Sequence, residues 1–211
     1  MATMSGRAAP DVGRLIMVPA AAVMLLLDFA ALTRGGGTLR WPGAVLVCAF
    51  YTLVIWSYLR RGPAVATSGS ITASAVAVLA TMAPFAFPLL RGSPAGAGQQ
   101  LAAAALLVAG LAWSVWSLRF LGRNLSVIAQ AREVVDGGPY RLVRHPLYTG
   151  EIVSALGLAI GAGTAAGFAL LLALCAMQGY RARREEQVLL RALPGYRAYR
   201  DRTAVLVPGV F

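Results

Sequence analysis

Five long apolar runs occupy most of this 211-residue chain, and they limit its fold more than any other feature. The runs cover residues 15–32, 42–59, 71–90, 101–118 and 147–180. A helix needs about 20 apolar residues to cross the hydrocarbon core of a bilayer. Because 58% of the residues are hydrophobic and only 13% are charged, the sequence predicts an all-α, polytopic integral membrane protein with a single domain over residues 1–211.

The fifth run is too long for one crossing. A helix over residues 147–180 would reach about 50 Å, against a hydrocarbon core of about 30 Å. Its middle, residues 157–167, is rich in glycine and alanine, which weaken a helix and also let two backbones pack closely. The sequence therefore predicts a transmembrane helical hairpin, while the prolines in residues 84–88 predict a kink or an end in the third run.

The distribution of charge supports this topology. All 19 basic residues are arginines, the net charge is +11, and most arginines lie in segments 119–144 and 181–202. The positive-inside rule places both segments in the cytoplasm, which a hairpin between them satisfies. Four preceding spans (residues 1–118) then put the N-terminus in the cytoplasm and leave Arg34, Arg40 and Arg91 outside. We expect a multi-pass bacterial inner-membrane protein whose portion 119–211 ends in a cytoplasmic helix.

The composition argues against several other classes of protein. The arginines flank apolar runs, as expected for contact with membrane lipids, so no nucleic-acid partner is predicted. The chain has no lysine, which excludes a Walker-type phosphate loop, and no strand precedes a Gly-x-Gly-x-x-Gly motif. One histidine and two isolated cysteines, Cys48 and Cys175, predict no metal site and no disulfide. The first apolar run lacks a cleavage site and is predicted to be retained.

Two polar clusters lie beside the fifth run, and the predicted topology puts them on the same membrane face. Residues 137–150 contain the only histidine, His145, while residues 180–193 contain Arg181 and Glu185, four positions apart on one helical face. Each cluster also has a structural interpretation. The second is typical of a salt-bridged juxtamembrane helix, and His145 is placed to precede a helix that begins at Pro146. The residues alone do not decide between the functional and the structural interpretation. Asp28, in the first span, is given no role in either.

The two clusters together resemble a known family. Gly138-Pro139-Tyr140, Val143-Arg144-His145-Pro146-Leu147-Tyr148-Thr149-Gly150, Arg183-Arg184-Glu185-Glu186 and Pro194-Gly195-Tyr196-Arg197-Ala198-Tyr199 follow in this order. They resemble the isoprenylcysteine carboxyl methyltransferase family, which is related to membrane phospholipid N-methyltransferases. The resemblance covers about residues 119–211. Residues 193–196 are one residue shorter than the family's usual segment, which leaves the register of the tail open.

The resemblance implies S-adenosylmethionine as cofactor at the cytoplasmic face. The residues that it assigns to cofactor binding are Gln130, Tyr140, His145, Leu147, Tyr148, Glu185 and Glu186. Those that it places near the methyl acceptor, as catalytic residues, are Arg144, Arg181 and Glu186. Methyl transfer is an in-line displacement that needs mainly positioning, so no nucleophilic side chain is required.

The methyl acceptor is predicted to be lipophilic and to enter from the bilayer. The favoured acceptor is the carboxylate of a prenylcysteine-like, isoprenoid or lipid molecule, which Arg144 or Arg181 would orient. An amine in a phospholipid or a small thiol is the alternative, and it would need Glu186 or His145 as a base. A small transporter using Asp28, His145 and Glu151, or a membrane scaffold, is the non-enzymatic alternative. No oligomeric state is predicted.

Overall fold

Long helices account for most of the described chain. The computed structural model describes residues 12–34, 41–90, 92–93 and 96–209. The described residues form seven α-helices: α1 (Val12–Arg34), α2 (Trp41–Arg60), α3 (Ile71–Met82), α4 (Ala97–Leu121), α5 (Pro146–Ala162), α6 (Ala165–Ala192) and α7 (Tyr196–Arg200). Short 3-10 helices cover Ala83–Leu90, Gly122–Asn124 and Gly138–Arg141. Two strands of two residues each, β1 (Ala66–Thr67) and β2 (Gln130–Ala131), complete the described structure.

Each predicted apolar run contains helix, but the number of membrane crossings stays a prediction. Three helical stretches in the described residues are long and apolar enough to span a bilayer: Ile71–Leu90, Ala97–Asn124 and Ala165–Ala192. The apolar helices Gly13–Leu27, Ala44–Arg60 and Pro146–Ala162 are shorter. The connection 35–40 and Arg91 lie outside the described residues, as do the side chains of Asp28 and Arg34.

The third run changes its helix type where its prolines begin. α3 ends at Met82 and continues as a 3-10 helix from Ala83, directly before Pro84. A proline has no N–H to donate and collides with the preceding turn of an α-helix. The predicted effect of this proline pair on the run is therefore confirmed.

The fifth run divides into α5 and α6 at Gly163. This glycine has a φ of 66°, a left-handed conformation that glycine adopts without steric cost and that commonly ends a helix. The hydroxyl of Thr164 then accepts a hydrogen bond from the Gly167 amide, 3.1 Å away, and caps the start of α6. α5 and α6 pack against each other in opposite directions, so that the N-terminus of α5 lies beside the last third of α6.

α4 and α5 pack so closely that their backbones nearly touch. A Cβ atom on Gly110 would lie 2.6 Å from the carbonyl oxygen of Gly150, and one on Gly157 would lie 2.6 Å from the carbonyl oxygen of Ala103. The indole Nε1 of Trp113 donates to the carbonyl oxygen of Pro146 at 2.8 Å, which ties the start of α5 to α4. Small residues thus bring these helices together, as is common among membrane helices.

The short two-stranded sheet was not predicted from the sequence. β1 and β2 pair antiparallel, with Ala66 opposite Ala131 and Thr67 opposite Gln130. This pairing anchors the loop after α4 to the connection between α2 and α3. It departs from the predicted all-α class only locally, but it fixes the position of Gln130.

We expect Gly110→Ala to destabilise the protein because the added methyl group meets the backbone of α5. Overpacking of this kind costs about 1–3 kcal/mol. Gly179→Ala is the matched control, since its added methyl group meets nothing within 4 Å. Alanine is also the better helix former there, by up to about 1 kcal/mol. Thermal unfolding in detergent should show a lower midpoint for the first variant alone; equal midpoints would contradict the close crossing.

Candidate functional site

The side chains assigned to one site from the sequence come together at one end of the α5–α6 pair. The loop before α5 supplies Arg144 and His145, and α5 itself supplies Tyr148. α6 brings Glu185 and Glu186 to the same place, within hydrogen-bond reach of these groups. The two polar clusters therefore share a site because the fifth apolar run folds back on itself.

His145 lies between the two glutamates. Its Nδ1 is 3.5 Å from Glu185 Oε2, and its Nε2 is 3.4 Å from Glu186 Oε1. Burial by itself lowers the pKa of His145, but hydrogen bonds to both carboxylates and their negative charges outweigh it, so the pKa is raised above its usual value. With both ring nitrogens protonated, each would donate to one carboxylate.

The His145 ring has a fixed position in the site. The residue occupies the N-cap position of α5, Pro146 occupies the first helical position, and the His145 amide donates to the carbonyl oxygen of Val205 at 3.1 Å. The imidazole also stacks parallel to the Tyr148 ring, with ring centroids 5.4 Å apart and planes 2° from parallel. This local geometry confirms the predicted helix start at Pro146 and adds the ring contacts that the sequence could not specify.

Arg144 is buried and joins three parts of the chain. Its Nε donates to Glu186 Oε1 at 2.7 Å, and its Nη1 donates to the carbonyl oxygens of Arg200, at 2.7 Å, and Thr203. Its backbone amide donates to the carbonyl oxygen of Ala204 at 2.8 Å. The Arg144 guanidinium therefore orients Glu186 and holds the tail after α7 against the site.

Arg181 lies over the Tyr148 ring, with its Cζ 4.6 Å from the ring centroid. The Tyr148 hydroxyl in turn donates to Glu185 Oε1. Arg181 Nη2 donates to the carbonyl oxygen of Val127 at 3.3 Å, but its buried Nε has no hydrogen-bond partner among the described residues. A buried guanidinium nitrogen without an acceptor is costly, so this donor is available to a bound group.

Gln130 and Tyr140 approach the site from the loop between α4 and α5. Gln130 lies in β2, and its Oε1 accepts from Ser126 Oγ at 3.0 Å and from Arg132 Nη2 at 2.7 Å. Tyr140 is buried, and its carbonyl oxygen accepts from the Tyr199 hydroxyl at 2.8 Å. Tail and loop are thus bonded to each other around the site.

A cavity of about 410 Å³ opens among these residues. All but one of the residues assigned to the site line this cavity: Gln130, Tyr140, Arg144, His145, Leu147, Tyr148, Arg181 and Glu185. The exception is Glu186, which contacts the lining residues His145 and Arg144. The cavity continues between apolar side chains of α1 and α2 on one side, such as Met17 and Val54, and of α3 and its 3-10 extension on the other, such as Met82 and Phe85. It therefore has a polar end and an apolar end.

Sequence reasoning missed several polar groups of the site. Glu151 lines the cavity but has a predicted role only in the transporter alternative, and the sequence predicts no role for Gln178, Tyr196 and Tyr199. Glu151 lies three residues after Tyr148, and Gln178 lies three residues before Arg181. That spacing puts each on the same helical face as an assigned residue, which is a signal that could have identified them.

Comparison with known proteins supports the relationship predicted from the motifs. Residues 99–194 match a family described as phospholipid methyltransferase. The matched segment runs from the first turn of α4 to just beyond α6 and contains the residues around His145, Arg181 and Glu185. The predicted relationship to membrane methyltransferases is confirmed, and this family implies S-adenosylmethionine as the methyl donor. No curated protein matches the chain.

The raised pKa of His145 predicts how stability depends on pH. The folded pKa lies above the usual value of about 6.5, so protonated His145 stabilises the fold fully below that pH. This contribution is lost as the pH rises through the folded pKa. NMR titration of the single imidazole should give a midpoint above 6.5, and Glu185→Gln should lower it. An unchanged midpoint in that variant would contradict the pairing.

Arg144→Met should loosen the tail, because the variant loses the guanidinium donors to the carbonyl oxygens of Arg200 and Thr203. We expect trypsin to cleave after Arg200 and Arg202 several-fold faster than in the parent protein, with the sites identified by mass spectrometry. Arg141→Met is the matched control, since Arg141 lies in the same loop but is exposed. Equal cleavage rates in the two variants would show that Arg144 does not hold the tail.

Proposed function

We propose, from the relationship to the phospholipid methyltransferase family, that this protein is a membrane-embedded, S-adenosylmethionine-dependent methyltransferase acting on a lipophilic acceptor. The observation that carries the proposal is one continuous cavity with a charged end at His145 and Glu185 and an apolar end between α1, α2 and α3. A polar cofactor and an apolar acceptor need these two environments side by side.

The residues at the charged end fit this cofactor. When bound, S-adenosylmethionine supplies an activated methyl group on a sulfonium, together with an amino group, a carboxylate and ribose hydroxyls. Glu185, which lines the cavity, can accept hydrogen bonds from the amino group or the hydroxyls. Gln130, Tyr140, Leu147 and Tyr148 surround this end, and the volume of about 410 Å³ lies in the usual range for small-molecule sites.

Positioning is the main catalytic task of the protein residues. Glu186 and Arg144 hold His145 and the tail, so they act on the geometry of the site. Two reacting groups held about 3–3.5 Å apart and in line gain most of the rate that such a displacement needs. We propose that Arg181, above the Tyr148 ring, faces the junction of the two ends and orients the acceptor.

The class of acceptor is proposed from the charges at this junction. A carboxylate acceptor, of the prenylcysteine or isoprenoid kind, would need Arg181 for its orientation, because the guanidinium of Arg144 is already bonded to Glu186 and to the tail. The match to phospholipid methyltransferases supports a phospholipid amine as the second candidate. A thiol acceptor and the non-enzymatic alternatives have no specific support from the arrangement of the site.

The proposed orientation places the charged end at the cytoplasmic face. The residues of the site lie beside the arginine-rich segments 119–144 and 181–202, which the positive-inside rule assigns to the cytoplasm. The cofactor is then reached from the cytoplasm and the acceptor from the bilayer. We propose the bacterial inner membrane as the location on the same grounds.

Calorimetry in detergent tests the cofactor. We expect the demethylated product to bind the purified protein, and we expect labelled methyl groups to be transferred in a screen of prenylcysteine analogues, isoprenoid acids, aminophospholipids and thiols. Failure to bind both the cofactor and its demethylated product would refute the proposed function. The acceptor that becomes labelled identifies the reaction as O-, N- or S-methylation.

Glu185→Gln should weaken binding of the demethylated product by about tenfold or more, because hydrogen bonds to a charged group contribute about 1.5–3 kcal/mol. Asp136→Asn provides the control: its carboxylate is 59% exposed, pairs with Arg202 and lies outside the cavity. Isothermal titration of both variants gives the two dissociation constants. If the two substitutions changed affinity equally, Glu185 would not be a cofactor contact.

A further inference from the structure

A second polar pair lies deeper between α5 and α6 than the His145–Glu185 pair. Gln178 of α6 is fully buried, and its Nε2 donates to Glu151 Oε2 of α5. The Gln178 Oε1 accepts from Arg181 Nη1 at 3.0 Å. One side-chain amide therefore bridges a carboxylate and a guanidinium, so that the two charges are separated by Gln178.

This separation leaves both charged groups with unused bonding capacity. Opposite charges in a poorly solvated interior attract each other strongly, so direct pairing would be the simplest arrangement. In the described part of the chain, Arg181 forms no ion pair within 4 Å, and its Nε has no hydrogen-bond partner. Glu151 Oε1 accepts no hydrogen bond from the described residues. Both side chains line the same cavity.

The position of Glu151 places it between the charged and the apolar ends of the cavity. Glu151 of α5 follows His145 by six residues, and Gln178 precedes Glu185 by seven residues in α6. At 1.5 Å per residue, the pair lies about 9–11 Å farther along the helices than the His145–Glu185 pair. Ser154, Ala155 and Leu158 of α5 line the cavity beyond it.

We propose that Glu151 and Arg181, held apart by Gln178, recognise the polar head of the methyl acceptor, with Glu151 binding an ammonium group and Arg181 an anionic group. The inference rests on the proposed function and makes Glu151 a residue that determines specificity. Ionisable side chains at membrane depth are rare and usually serve a ligand. An acceptor head that carries both charges satisfies both side chains at once, whereas a lone carboxylate leaves Glu151 unpaired.

The methionine part of the cofactor carries the same two charges, an ammonium and a carboxylate, so the experiment must separate the two sources. The depth of Glu151 and its apolar surroundings favour the acceptor. Glu151→Gln is the informative variant because it keeps the shape and an oxygen that can accept from Gln178 while removing the charge. Asp201→Asn is the matched control, since Asp201 is 62% exposed and does not line the cavity.

Binding is measured by calorimetry in detergent for three probes. Two are short-chain lipids, dihexanoyl phosphatidylethanolamine and dihexanoyl phosphatidylethanol, which share a phosphodiester and differ in the ammonium group; the third is the demethylated cofactor product. We expect the parent protein and Asp201→Asn to bind the ethanolamine lipid about tenfold more tightly than phosphatidylethanol, as a charge-assisted hydrogen bond provides. Glu151→Gln should lose this preference and bind the cofactor product as the parent protein does.

The outcomes distinguish this inference from the proposed function. A parent protein without preference for the ammonium lipid, or a Glu151→Gln variant that keeps the preference, would overturn the inference. Weaker binding of the cofactor product by Glu151→Gln would also overturn it, because Glu151 would then serve the methionine part. If the parent protein binds neither the cofactor nor its demethylated product, the proposed function is refuted. The lipid titrations still test the preference for the ammonium lipid in that case.

Discussion

Two adjacent carboxylates near the end of an apolar helix are the constraint on which the rest of the site depends. Glu185 and Glu186 lie in a helix apolar enough to span a bilayer, where uncompensated charges are strongly destabilising. Their compensation comes from elsewhere in the chain: His145 contacts both, and Arg144 contacts Glu186. These contacts form only if α5 folds back along α6. The turn at Gly163 is therefore what allows the charges of Glu185 and Glu186 to be compensated.

The sequence predicted the helices and the grouping of the site residues. Both follow from patterns that can be recognised in the sequence, namely the lengths of the apolar runs and short motifs of neighbouring residues. Apolar length located the helices α1 to α6, and the excess length of the fifth run predicted its division into α5 and α6. The motifs around His145 and around Glu185 identified two walls of one cavity. How many helices cross a bilayer, and which residues touch the cofactor, stay predictions that the proposed experiments address.

The contacts that the sequence did not predict are those between distant segments. Nothing local indicates that Ala66 pairs with Ala131, because two residues of strand carry no periodic signal. The bonds of Arg144 to Glu186 and to the carbonyl oxygens of the tail join groups 42 to 59 positions apart, and they depend on how the tail packs. The bridge from Glu151 through Gln178 to Arg181 likewise depends on which faces of α5 and α6 pack against each other. Side-chain type limits such contacts, but only packing decides them.

The attachment of the tail to Arg144 has a consequence for how the site is made during synthesis. The carbonyl oxygens of Arg200 to Leu206 bond to residues 144–149, so one wall of the cavity is supplied by a segment translated more than 50 residues after the wall it meets. Both α5 and α6 are translated before this wall. The cavity is therefore completed last, and a nascent chain that stops after α6 lacks this wall.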